Sequence, residues 1–104
     1  MSATQSEAFK QAVIDSKKLT AKPGNDELLE LYGLYKVSTG EDISKAPKPG
    51  MFDLKGKAKQ GAWQKVVDEG VTPELAQEKY IALVNTLKDK YGYDANKEPE
   101  AVGN

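Results

Sequence analysis

The sequence predicts an all-α fold, a four-helix bundle, on three observations. Apolar residues recur at helical spacing in four separate stretches, helix-start residues precede the later three, and no stretch alternates in the manner of a strand. Phe9, Ala12, Val13 and Leu19 trace a narrow apolar stripe, so residues near Ser6 to Lys18 read as a first amphipathic helix. Lys22-Pro23-Gly24-Asn25 breaks it. Asn25 or Asp26 is expected to cap a second helix, whose acids Asp26, Glu27 and Glu30 suit the positive end of the helix dipole. Its face carries Leu28, Leu31, Tyr32 and Tyr35, and it should stop near Gly40.

From Gly40 to Phe52 the composition shifts to Gly, Pro, Ser, Lys and Asp, with Pro47 and Pro49 both present, which predicts a loop ordered by contact. Asp53 is the expected cap of a third helix through Leu54, Ala58, Ala62, Trp63, Val66 and Val67. Gly56 and Gly61 inside it each cost about 1 kcal/mol relative to alanine. Thr72 as N-cap with Pro73 at the first helical position opens the fourth helix. Ala76, Tyr80, Leu83, Val84, Leu87 and Tyr91 follow at helical spacing, and Gly92 should end it. The expected division is a domain over 1–92 and a polar, loosely held tail from Tyr93 to Asn104.

The 104 residues suffice for one domain with one core. A net charge of -1 argues against a nucleic-acid binder relying on bulk electrostatics, so any basic site must be local. With no cysteine and no histidine, disulfides, thiolate chemistry, imidazole catalysis and the usual zinc ligands are absent. No run approaches the length of a membrane span, and Met1 to Gln5 lacks the pattern of a signal peptide, so the expected location is cytoplasmic. All 15 cations are lysines, so a phosphate would meet point-like ammonium groups and no guanidinium fork.

In a helix, Tyr32, Tyr35 and Lys36 share a face, as do Lys55 and Lys59, so rings and ammonium groups can converge on a base and its phosphates. Spacing alone leaves Tyr32, Tyr35 and Tyr80 open between core and site, and leaves Lys55, Lys57 and Lys59 open between a solvated face and a clamp. Lys57, two residues from each of the others, points away from them. Trp63 and Phe52 are assigned to packing. Adjacent acids such as Asp68-Glu69 diverge on a helix, and Ser38 and Thr39 lack a base partner, so no hydrolytic centre is staged.

Leu31-Tyr-Gly-Leu-Tyr-Lys36, then Pro49-Gly-Met-Phe-Asp-Leu-Lys-Gly-Lys-Ala-Lys59 with Ala62-Trp63, resembles the acyl-CoA-binding protein family, also called diazepam-binding inhibitor or endozepine. Tyr80-Ile81 and Lys90-Tyr91-Gly92 agree with that resemblance, which covers residues 5–92. It implies an up-down-down-up bundle that binds medium- and long-chain fatty acyl-CoA one to one, without catalysis and without a cofactor. It further implies that Lys36, Lys59 and the Tyr32 hydroxyl hold the 3'-phosphate, that Tyr35 stacks on adenine, and that Tyr80 lies near the adenine and thioester end. Lys17 and Lys55 would line the head-group site, Gly33 and Leu34 fall inside the second-helix binding run, and Phe9, Ala12, Leu28 and Leu29 match positions near the acyl chain.

The chain departs from the family pattern with Val37 in place of a glutamine, with Gln60 and Gly61 in place of an aromatic start, and with one extra residue between Gly40 and Pro49. The expected partners are fatty acyl-CoA and, transiently, acyl-CoA-using enzymes. No nucleic acid, at most transient membrane contact, and a monomer are expected. The rival readings are a helical interaction module docking an acidic partner through its lysine face, and a thioesterase.

Overall fold

Pro73 opens the longest helix of the structure, a computed structural model that describes residues 4–98. The helices are α1 (Glu7–Ser16), α2 (Asn25–Ser38), α3 (Leu54–Asp68) and α4 (Pro73–Tyr91). Three N-caps follow one chemistry: Ser6, Asp53 and Thr72 each accept the backbone N–H three residues on, from Phe9, Gly56 and Leu75. At α2 the cap is Gly24, one residue before the expected Asn25. The Glu27 carboxylate reaches back to accept the Gly24 N–H at 2.9 Å, which fixes the helix start without a capping side chain at Gly24.

Helix α2 packs on both α3 and α4, and α1 packs on α4. Between them lies a core of Phe9, Leu31, Leu34, Trp63, Tyr80, Val84 and Leu87. Gly33 sets the closeness of α2 to α3, since a Cβ there would stand 2.7 Å from the Ala62 carbonyl oxygen. Gly92 ends α4 at φ 81°, in the region that favours glycine.

Two segments are more ordered than their composition suggests. Within the 40–52 loop, Ile43–Lys45 forms a short 3-10 turn started by Asp42, whose carboxylate accepts the Ser44 N–H. After Gly92 the chain is fastened to the α1–α2 connection. Tyr93 pairs with Leu19 in an isolated antiparallel bridge, Lys97 donates to the Leu19 carbonyl at 2.6 Å, and Lys18 donates to Ala95. The expectation of a loose tail therefore fails for residues 93–97, while Pro99 to Asn104, like Met1 to Ala3, lies outside the described residues. Among the described residues, no helix is long and apolar enough to cross a membrane.

Candidate ligand-binding cleft

The i, i+4 spacing on α2 and the start of α3 bring three of the expected side chains to one place. The Lys36 ammonium lies 5.6 Å from the centroid of the Tyr32 ring, and the Lys59 ammonium lies 5.4 Å from the same centroid. Lys36 also stands 5.6 Å from the Trp63 ring. Rings present their negative faces to cations, which offsets part of the cost of gathering two like charges. These four residues line a cleft of about 630 Å³ closed on its far side by the 41–50 loop, with Gln60 on its wall and Lys45 and Lys48 on the loop rim.

The end of α2 installs a counter-ion in that cleft. Gly40 takes φ 76°, and the Glu41 N–H returns to the Lys36 carbonyl, a six-to-one closure of the helix terminus. The turn carries the Glu41 carboxylate to Lys36, with each oxygen 3.1 Å from the ammonium, and Thr39 donates to one of those oxygens. Lys36 thus has one anionic partner that an incoming phosphate would have to displace, whereas Lys59 has none among the described residues. Trp63 is 4% exposed, and its indole N–H has no acceptor. That nitrogen is enclosed, with almost no surface of its own, so the ring and not the N–H is what Trp63 presents to the cleft.

The other expected residues are distributed differently. Tyr35 packs with Phe9 and Tyr80 in a three-ring cluster, with centroids 5.1 Å apart for the edge-on Phe9–Tyr80 pair and 6.2 Å for Phe9–Tyr35. Tyr80 is 1% exposed, its hydroxyl is shared with Ser16 at 3.2 Å, and burial pushes its phenol up from the ordinary value. Phe9 and Ala12 are closed inside the core and present almost no surface to an acyl chain. Gly33 faces Ala62, and Leu29 and Leu34 line a second groove of about 800 Å³ between α2, α3 and α4. Leu28 and Lys17 are half-buried and Lys55 is exposed, and none of the three lines the cleft. Lys57 does point away, donating to the Met51 carbonyl at 2.7 Å.

Three features escaped sequence reasoning. Glu41 carried a signal only in hindsight, as an acid just past a helix-ending glycine. Trp63 belongs to the core as expected but also floors the cleft. Phe52 does not pack at all, for it is 90% exposed beside Met51 at the tip of the turn before α3.

The sequence profile described as "Acyl CoA binding protein" matches residues 6–84. The chain is 48% identical over 85 residues to acyl-CoA-binding protein homolog 1 of Caenorhabditis elegans, covering 82% of this chain and 95% of that protein. It is 46% identical over 86 residues to the acyl-CoA-binding protein homolog of Drosophila melanogaster, covering 83% and 96%. The crystal structure of Oryza sativa acyl-CoA-binding protein 2 superposes with a TM-score of 0.72 at 34% identity, covering 88% of this chain and 97% of that one. With the four-helix frame, the lysine-flanked Tyr32 and the family profile in agreement over three quarters of its length, the chain belongs to the acyl-CoA-binding protein family.

Proposed function

We propose that this protein is a non-catalytic, cytoplasmic, monomeric carrier of medium- and long-chain fatty acyl-CoA, which it sequesters and hands on to acyl-CoA-using enzymes. The observation that carries the reading is the pair of ammonium groups at 5.4 and 5.6 Å from the single Tyr32 ring, in a cleft wide enough for a nucleotide head. Lys36 and Lys59, with the Tyr32 hydroxyl, bind the 3'-phosphate. Tyr35 stacks on adenine at the edge of the three-ring cluster, Tyr80 braces it from the core, and Lys17 and Lys55 steer the head group from outside. Leu28 and Leu29, half-buried on α2, meet the acyl chain, while Phe9 and Ala12 support the wall from behind.

Each buried methylene contributes about 0.8 kcal/mol, so two added carbons tighten binding by roughly an order of magnitude until the groove is full. The domain that does this runs to Gly92, with the segment after it serving as a fastening. Titration calorimetry with palmitoyl-CoA, palmitate and CoA, alongside a free-thiol assay, tests the proposal. The intact thioester is expected to bind far more tightly than either fragment, with no thiol released. Indifference to all three ligands would favour the docking module, and liberated CoA would favour a thioesterase.

A further inference from the structure

The charge of this chain is unevenly placed. Residues 43–67 hold six lysines and one acid, Asp53, in a protein of net charge -1. At the centre of that basic segment the chain exposes its apolar side chains: Met51 and Leu54 are 76% exposed and Phe52 is 90% exposed.

The exposed tip is held in one shape. The Asp53 N–H returns to the Gly50 carbonyl at 3.1 Å, so Met51 and Phe52 occupy the middle of a tight turn. The Lys57 ammonium donates to the Met51 carbonyl, and Asp53 caps α3 directly behind. Turn tips ordinarily carry glycine or polar residues. A phenyl ring and a thioether fixed outward there, with Lys48, Lys55 and Lys57 exposed around them, match a surface that is apolar within and anionic at its face.

We propose that the Met51–Phe52 turn, with its surrounding lysines, is a docking surface for anionic lipid bilayers, adjoining the rim of the acyl-CoA cleft and functional without ligand. The two side chains enter the boundary between headgroups and acyl chains, and the lysines stay at headgroup level, where each contributes through the negative surface potential. Neighbouring Pro49, Gly50 and Gly56 also line the cleft, so a docked molecule holds the cleft mouth close to the lipid surface. Asp53, the acid next to the tip, is engaged by the Gly56 N–H as the cap of α3, and Glu41 and Asp42 line the cleft wall.

Vesicle co-sedimentation of the ligand-free protein tests this, using phosphatidylcholine vesicles with and without phosphatidylserine. Binding is expected only with the anionic lipid, is expected to fall as salt screens the lysines, and is expected to drop by about tenfold in Phe52→Ser, the loss of one buried aromatic side chain. Lys57→Glu should weaken it further, with the circular dichroism and palmitoyl-CoA affinity of Phe52→Ser unchanged. Absence of binding by the wild type, or equal binding by Phe52→Ser, overturns the proposal. Phe52-dependent self-association in ultracentrifugation, or Phe52-dependent capture by an acidic polypeptide, without vesicle binding, also overturns it and assigns the tip to a second copy or to a protein partner. Because no acyl-CoA is present, failure here leaves the carrier reading intact.

Discussion

The two ends of the bundle handle their polar groups in opposite ways. Where α1 meets α4, Asp15 is buried and accepts three hydrogen bonds, from Gln11 at 2.9 Å, Lys88 at 2.7 Å and Tyr93 at 2.9 Å, and the Lys88 ammonium also lies 4.5 Å from the centre of the Tyr93 ring. Glu27 is as fully engaged, by Tyr91, Lys90 and the Gly24 N–H. At the cleft, two ammonium groups crowd one ring, and of the two only Lys36 has a carboxylate partner among the described residues, Glu41. Saturated polar groups hold a fold together; ammonium groups gathered at a cleft with too few anions are able to take one that arrives later.

The sharpest way to separate the two ends is to damage each and read both stability and binding. Asp15→Ala removes the acceptor of three bonds and should cost about 2 kcal/mol of stability in urea unfolding, with palmitoyl-CoA affinity unchanged in the molecules that remain folded. Lys59→Ala should do the reverse, weakening palmitoyl-CoA by roughly tenfold or more in calorimetry while the urea midpoint barely moves. An equal loss of stability in both variants would erase the distinction.

Glu41→Gln sharpens the comparison from inside the cleft. Removing the carboxylate that occupies Lys36 should tighten acyl-CoA by a few-fold, about what one partly exposed ion pair is worth, and should leave chain-length preference alone. Weaker binding would mean that Glu41 organises Lys36 and does not compete for it.

The smallest effect is one of pH. Burial pushes the Asp15 carboxyl up, but the Lys88, Gln11 and Tyr93 donors together outweigh it and hold it below its ordinary value. The Tyr91 hydroxyl, then Lys90 and the Gly24 N–H, bring Glu27 down to about 2. Carboxyls depressed in the folded state contribute stability that is fully present above the ordinary carboxylate range and is lost as pH falls through their lowered values. Thermal melts should therefore fall between about pH 4.5 and pH 2, and Glu27→Gln should flatten part of that slope. A variant profile parallel to the wild type would remove Glu27 from the account.

Local signals made the helices legible. Asp53 and Thr72 cap within three residues of themselves, and Pro73 declares its position alone. The Gly24 start was harder to read because its capping group arrives from Glu27, and the 3-10 turn at Ile43 because it rests on one side chain of Asp42. The fastening of Tyr93 was out of reach, since its partners Leu19 and Asp15 lie more than seventy residues away and no periodicity encodes such a pairing. In the site, Tyr32 and Lys36 were legible from i, i+4 spacing together with the family motif, whereas Lys59 was legible from the motif alone, since its i, i+4 partner Lys55 does not line the cleft. Phe52 was misread because hydrophobic character alone predicts burial, and nothing in the local sequence says that a turn will hold the ring outward.

Trp63 is the one tryptophan of the chain, so its indole N–H gives a single resonance in a nitrogen-15 spectrum. Titration with palmitoyl-CoA should shift that resonance and the backbone amides of Tyr32, Lys36 and Lys59, while those of Asp15, Lys88 and Tyr93 stay in place. Shifts concentrated at Asp15 and Tyr93, with the indole signal unmoved, would contradict the assignment of the lysine-flanked cleft as the acyl-CoA site.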